Sequence, residues 1–303
     1  MSEKDCRLVC SRGILKSCDI HSKMPVSSIR RLIEYDYGIE MDDENDNPVT
    51  IYICSSAIPE FRRILYSIPY RFILVTGDCD ESCWEDLFGS KNDFLMFIEN
   101  DKIIHWFSQN CTGSHPKLTQ IPIGMDYHTM SYRDTSWGPR ASPREQEMQL
   151  MEVVQTAKPW AERKHKTMAY SNFHFALNTR FAQDRLDAIA QIPAECVFYE
   201  PEHCIRIESW KTQIEYSFII SPHGGGLDCH RTWEALALGC IPIVKTSALD
   251  PLFEGLPVWI VKDWSNVSKK SMTQILKDFS NKNAIFSYDK MNLAYWMDKI
   301  RNV

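Results

Sequence analysis

Ser221-Pro-His-Gly-Gly-Gly-Leu-Asp-Cys-His-Arg-Thr-Trp-Glu-Ala-Leu-Ala-Leu-Gly-Cys-Ile-Pro-Ile-Val244 decides how this chain is read. Just ahead of it, Tyr216-Ser-Phe-Ile-Ile220 is a short apolar run, the pattern of a parallel strand buried on both faces. Gly224, Gly225 and Gly226 clear Cβ atoms from the backbone N–H groups, and the following helix aims its positive end at the same place. Strand, glycine loop and helix together make a candidate cradle for a pyrophosphate. Within the helix, Trp233, Leu236, Ala237 and Cys240 repeat at helical spacing and form a packing stripe. Leu227, Arg231 and Glu234 fall on the other side. An Arg there can meet phosphate oxygens, and a carboxylate one turn deeper can accept hydrogen bonds from ribose hydroxyls. Ser221, His223 and Asp228 complete the candidate donor-binding set, and Asp228, His230, Arg231 and Glu234 together favour a ligand site over a glycine turn with a surface Arg–Glu pair.

Outward from this segment, strand and helix signals alternate in both directions, the pattern of βαβ units and parallel sheets. In the first half, 49–54 and 72–76 read as strands and 57–66 as a helix. The run 94–98 fits either a strand or a helix, and 117–124 reads as an edge strand because of Pro122. Residues 131–144 collapse into Ser, Pro, Gly, Arg and Asp, the best linker candidate, before an amphipathic helix over 145–157. In the second half, 167–175, 196–200, 216–220, 241–245 and 258–262 read as strands. Helices are expected over 182–191, 206–215, 269–279 and 292–301. The division expected is an N-terminal Rossmann-like domain over 1–157, a second over 158–285, and a C-terminal helix over 286–303 that packs back on the first. Ligands of such sheets sit beyond the carboxyl ends of the strands.

Composition sets limits. Of 303 residues, 44% are hydrophobic, enough for real cores. A net charge of −6 argues against a broad nucleic-acid surface. The basic cluster Arg163-Lys-His-Lys166 is either a solvated loop or a phosphate- or acceptor-facing patch. Residues 1–23 lack the apolar core of a secretory leader, and no run of about 18 apolar residues appears, so no membrane span is expected. Eleven cysteines, an odd number without two CxxC pairs, point to reduced thiols and a cytoplasmic location. The Asn-x-Ser/Thr patterns at Asn110 and Asn266 then go unread.

The segment 221–244, with Leu249 to Trp264 after it, resembles the donor motif of the exostosin-type glycosyltransferases. Roughly 45 residues match closely. Val75-Thr-Gly-Asp-Cys-Asp80, Trp106 to Asn110, Ile121 to His128 and Gln183 to Asp187 extend the similarity, most of all to short soluble members encoded by large algal viruses. The resemblance implies a GT-B fold: α/β, with two Rossmann-like domains whose parallel sheets face each other across a cleft. It implies inverting transfer from a UDP-sugar to a hydroxyl of a glycan, with no obligatory metal or cofactor. Xylose is the first sugar it suggests, capsid glycan synthesis the setting, and host cytoplasm the location. Gly224, Gly226, Asp228, Arg231 and Glu234 fall on the donor motif. His223 departs from it where many members carry Arg, a charge that Arg180 or Arg185 would then supply.

An inverting transfer needs a base for the acceptor hydroxyl and positive charge for the leaving diphosphate. Asp78, Asp80 and Asp126 lie beyond strand ends and are the candidate bases, Asp78 first, then Asp80, then Asp126, with a turn or capping role as the alternative for Asp78 and Asp80. His105 and His128 are further proton acceptors, more simply read as structural. No metal site is expected, because Asp78-Cys-Asp80 lies away from the donor motif and Cys79 and Cys83 lack a second ligand pair. Trp84, Trp106, Tyr127 and Trp137 either line an acceptor groove or pack a core. Two other readings stay open: a retaining GT-B transferase, and a sugar- or nucleotide-binding module without catalysis.

Overall fold

The runs 49–54, 72–77 and 216–220 are buried along their whole length and form strands. The computed structural model describes residues 2–37, 48–173, 176–281 and 283–303. In chain order the elements are α1 (Ser11–Ser17), β1 (Val49–Cys54), α2 (Ile58–Ile64), β2 (Phe72–Gly77), α3 (Lys91–Ile98), β3 (Ile103–Ser108), β4 (Leu118–Gln120) and α4 (Pro143–Thr156). They continue with β5 (His165–Ser171), α5 (Ala182–Gln191), β6 (Val197–Tyr199), α6 (Arg206–Gln213), β7 (Tyr216–Ile220), α7 (His230–Ala237), β8 (Ile241–Lys245), α8 (Asp250–Phe253), β9 (Trp259–Val261), α9 (Lys269–Phe279) and α10 (Leu293–Arg301).

Two parallel sheets result. The first runs β1-β2-β3-β4 and the second β6-β5-β7-β8-β9. In the second, the chain winds outward from β5 to β6, then crosses to the other side for β7. The crevice between β5 and β7 is therefore a topological switch point, where parallel sheets open a ligand crevice.

Alternation along each strand sorts side chains between cores. Phe72 and Leu74 of β2 join an outer core with Phe61 and Trp106. Phe218 and Ile220 of β7 join another outer core with Trp264 and Met272. Their neighbours Ile73, Val75 and Ile219 all enter one central core, with Leu150 of α4, Trp233 of α7 and Trp296 of α10. That core runs through both halves. The C-terminal helix lies on the N-terminal segment: Leu293 N donates to the Arg7 carbonyl at 2.8 Å, and Arg301 Nη2 to the Ser17 carbonyl at 3.0 Å.

Several expectations change. The ambiguous run 94–98 is the end of α3, started by Ser90, whose hydroxyl accepts from Asp93 N at 3.1 Å. The strand beside β2 is instead β3, which the sequence reading missed. The expected edge strand 117–124 shortens to β4, at the sheet edge. The helix expected from Glu145 begins at Pro143, where Ser142 and Glu145 form a reciprocal capping box. Of the expected strand 167–175, β5 covers as far as Ser171, and 174 and 175 lie outside the described residues. Arg163 belongs to neither a solvated loop nor a ligand-facing patch. It is buried and donates to the carbonyls of Lys158, Tyr216, Leu238 and Gly239 at 2.7–3.0 Å, tying α7's end to β7. Trp106 and Tyr127 are core residues. Among the described residues, no helix is long and apolar enough to cross a membrane.

Candidate functional site

The carboxyl ends of both sheets converge on the loop after β7. A cavity of about 490 Å³ opens there, lined by segments after β5 (171–173), after β6 (199–204) and after β7 (225–231), and by Asp80, Ile123 and Trp137 of the first half. Its volume is in the range of small-molecule pockets.

The glycines are required by close approach rather than by backbone angle. A Cβ on Gly225 would overlap the Asp80 carboxylate, and one on Gly226 would lie 2.7 Å from Asn110 Nδ2. The loop's room is thus taken up by two first-half side chains. The two neighbours differ in freedom. At Gly225 the clash is with the far end of the Asp80 side chain, whereas Asn110 is buried, donating to the Cys79 carbonyl at 3.0 Å and accepting from Asp228 N at 2.8 Å. Gly226→Ala is therefore expected to destabilise the protein by about 1–3 kcal/mol, while Gly225→Ala displaces Asp80 with a smaller change, as thermal melts will show. Burial also explains why Asn110 is structural whatever its sequence pattern.

Asp228 is the joint between the halves. It is buried, and its carboxylate accepts from Ile123 N at 2.8 Å, Cys229 N at 2.9 Å and Trp233 Nε1 at 2.8 Å. Burial pushes its pKa up to about 6 despite the donors of Ile123 and Trp233 and the charge of His230. Behind the loop, His223 N donates to Asp184 Oδ2 at 2.9 Å and its ring is 2.9 Å from the Leu227 carbonyl. Gly224 N donates to the Gly226 carbonyl at 3.0 Å, so that N–H is already engaged. Ser221 Oγ is 2.8 Å from Thr232 Oγ1 and fastens the strand end to α7.

Two guanidinium groups flank the loop. Arg185 Nε donates to the His223 carbonyl at 3.2 Å, and a Cβ on Gly224 would lie 3.3 Å from its Nη2. Arg231 lines the cavity over the Phe173 ring at 5.6 Å. Among the described residues it has no ion-pair partner within 4 Å. Burial lowers its pKa from the usual value, Cys229 opposes this, and the Arg185 charge adds to the lowering. Glu234, one turn on, lies 3.5 Å from both Arg206 Nη2 and Trp210 Nε1.

The remaining expected residues separate. Asp80 lines the cavity, and burial raises its pKa, with His230 and Arg185 pulling the other way. Asp78 turns away at φ +59° and is buried against Arg12 Nε at 3.0 Å and Ser27 Oγ at 2.9 Å. Asp126 is buried among His128 Nδ1 (3.1 Å), Thr129 N (3.0 Å) and Arg206 Nη2 (3.7 Å). Burial pushes its carboxyl up, but His230, His128 and Arg206 outweigh that and hold it well below the usual range. Arg180 is exposed and paired with Asp86 and Ser82 of the first half. His105 hydrogen-bonds Thr119 Oγ1 at 2.8 Å on the first sheet. Asp78, Asp126, Arg180 and His105 do not line the cavity.

Sequence reading missed Arg206, Trp210 and the placement of Trp137. Arg206 Nη1 donates to the Asp126 carbonyl at 2.7 Å and to Gln146 Oε1 at 2.9 Å, while its N donates to the Trp137 carbonyl at 2.7 Å. Its guanidinium lies over Trp137 at 4.9 Å and Trp210 at 5.7 Å. The i, i+4 spacing of Arg206 and Trp210 was the only local signal. Among the described residues, no group of three His, Cys, Asp or Glu side chains is placed to hold a metal ion. No protein-family model matches the chain, and a search of curated proteins finds no match.

Proposed function

We propose that the chain is an inverting glycosyltransferase of the exostosin type with a GT-B arrangement, using a nucleoside diphosphate sugar, UDP-linked and of xylose type by resemblance. One observation carries the reading. The cavity sits at the switch point of the second sheet, against the glycine loop and the α7 N-terminus, with Arg231 facing it free of a carboxylate partner among the described residues.

In this reading the diphosphate lies along the glycine loop, Arg231 and the helix end supply its positive charge, and Glu234 accepts the ribose hydroxyls. Asp80 faces this position from the other half. The acceptor oxygen attacks C1 of the sugar from the face opposite the phosphate. The C1–O bond to the diphosphate breaks, its electron pair stays on the diphosphate, and the acceptor proton passes to Asp80. Configuration at C1 inverts. No resident cofactor enters the balance. Trp137 and the 199–204 segment form the wall nearest a glycan acceptor.

The test is calorimetry and thermal shift with a panel of nucleotide sugars, then NMR of the product anomer. Saturation about a hundredfold above Kd stabilises the protein by roughly 2.7 kcal/mol. Arg231→Ala should weaken UDP binding by about 10–100-fold, the worth of a charge-assisted hydrogen bond. Retained anomeric configuration would favour the retaining mechanism. Binding without turnover would favour the non-catalytic module, and no affinity for any activated sugar would end the reading.

A further inference from the structure

His230, the first residue of α7, lines the cavity beside Gly225, Asp80 and Arg231. Its Nδ1 lies 2.7 Å from the Gly124 carbonyl oxygen. A carbonyl only accepts, so this contact requires the proton on Nδ1 and leaves Nε2 as the working nitrogen. Among the described residues Nε2 has no hydrogen-bond partner. The anchor is rigid. Gly124 has φ +65°, a Cβ there would overlap the Val9 carbonyl, and the flanking Met125 N and Ile123 carbonyl bond to Val9 and Ser11 at 2.8 and 2.9 Å.

The charges around the ring come from three segments. Asp80 after β2, Asp126 after β4 and Asp228 before α7 are each drawn toward the ionised form by His230. The His128 ring stands 6.2 Å away, with Arg206 behind Asp126 and Arg231 next along the helix.

We infer that His230 donates its Nε2–H to the terminal phosphate of a nucleoside diphosphate, as a third donor beside Arg231 and the loop amides. This rests on the nucleotide-sugar reading of the cleft. Its place at the helix N-terminus, on the same turn as Arg231, assigns it to the leaving group rather than the acceptor hydroxyl. The proton stays on the imidazole as a hydrogen bond, and no further bond is made or broken.

The experiment is calorimetry of UDP with the full chain between about pH 6.5 and pH 8, in buffers of different ionisation enthalpy, to count protons taken up. Wild type should take up protons on binding. His230→Gln should bind UDP about tenfold more weakly with no uptake, and Arg231→Ala should bind weakly but keep it. Wild-type affinity and proton count in His230→Gln would overturn the inference while leaving the cleft reading intact. No UDP binding by wild type would overturn both. If His230→Gln fails to fold by thermal melt, the wild-type count decides, because absence of uptake overturns the inference.

Discussion

Asp80→Ala is expected to slow sugar transfer by about 10²–10⁴-fold, the usual worth of a positioned base, while UDP still binds. Of the three carboxylates that the sequence offered, Asp80 alone lines the cavity, and it touches the glycine loop from the opposite half. Burial raises its pKa, which brings a carboxylate closer to the strength that proton abstraction near neutrality needs. The acid limb of the rate profile should therefore lie above the ordinary carboxylate range and vanish in Asp80→Ala. Asp78→Ala makes the control. Its partner Arg12 would be left buried without a counter-charge, so the expected loss is about 3–5 kcal/mol of stability. Product formation and melting temperature measured on both variants separate the two roles. Undiminished transfer by Asp80→Ala would remove Asp80 from the chemistry.

Asp228→Ala should damage the fold as much as Asp78→Ala, at about 3–5 kcal/mol, because it strands three N–H donors from both halves at once. Urea unfolding at neutral pH reads it directly. Its pH dependence carries a further signature. With a folded pKa raised to about 6, the residue's contribution is fully present below the unfolded carboxylate value of about 3.9. It is lost as pH rises through about 6. The stability gap between wild type and Asp228→Asn should therefore be wider at pH 4 than at pH 7. A constant gap would mean that the donors balance burial, and a gap wider at pH 7 that they outweigh it.

The second sheet was the more legible because a glycine loop marks the end of its central strand. Tyr216 to Ile220 has no polar interruption wider than Ser217, and the glycines that follow announce the crevice. The first sheet hid β3. His105 and Trp106 break the apolar run, while the more apolar stretch 94–98 belongs to a helix, and runs of that length do not reveal their period. Asp78 and Asp80 share one loop, and no local signal separates them. What separates them is the left-handed turn at Asp78, which aims it at Arg12, 66 positions earlier in the chain. Arg206 stayed invisible for the same reason, since its partners Trp137, Asp126 and Glu234 come from three distant segments.

The central core draws side chains from β2, α4, β7, α7 and α10 alike. A builder of chimaeras thus has no clean seam at residue 157. Transplanting the N-terminal portion onto a homologue's C-terminal portion would bring together surfaces never matched to each other, and the glycine loop would lose the Asn110 and Ile123 groups that hold it in shape. Under the proposed function, altered acceptor preference is better sought by changing the cavity-lining Trp137 and 199–204 segment in place than by exchanging modules.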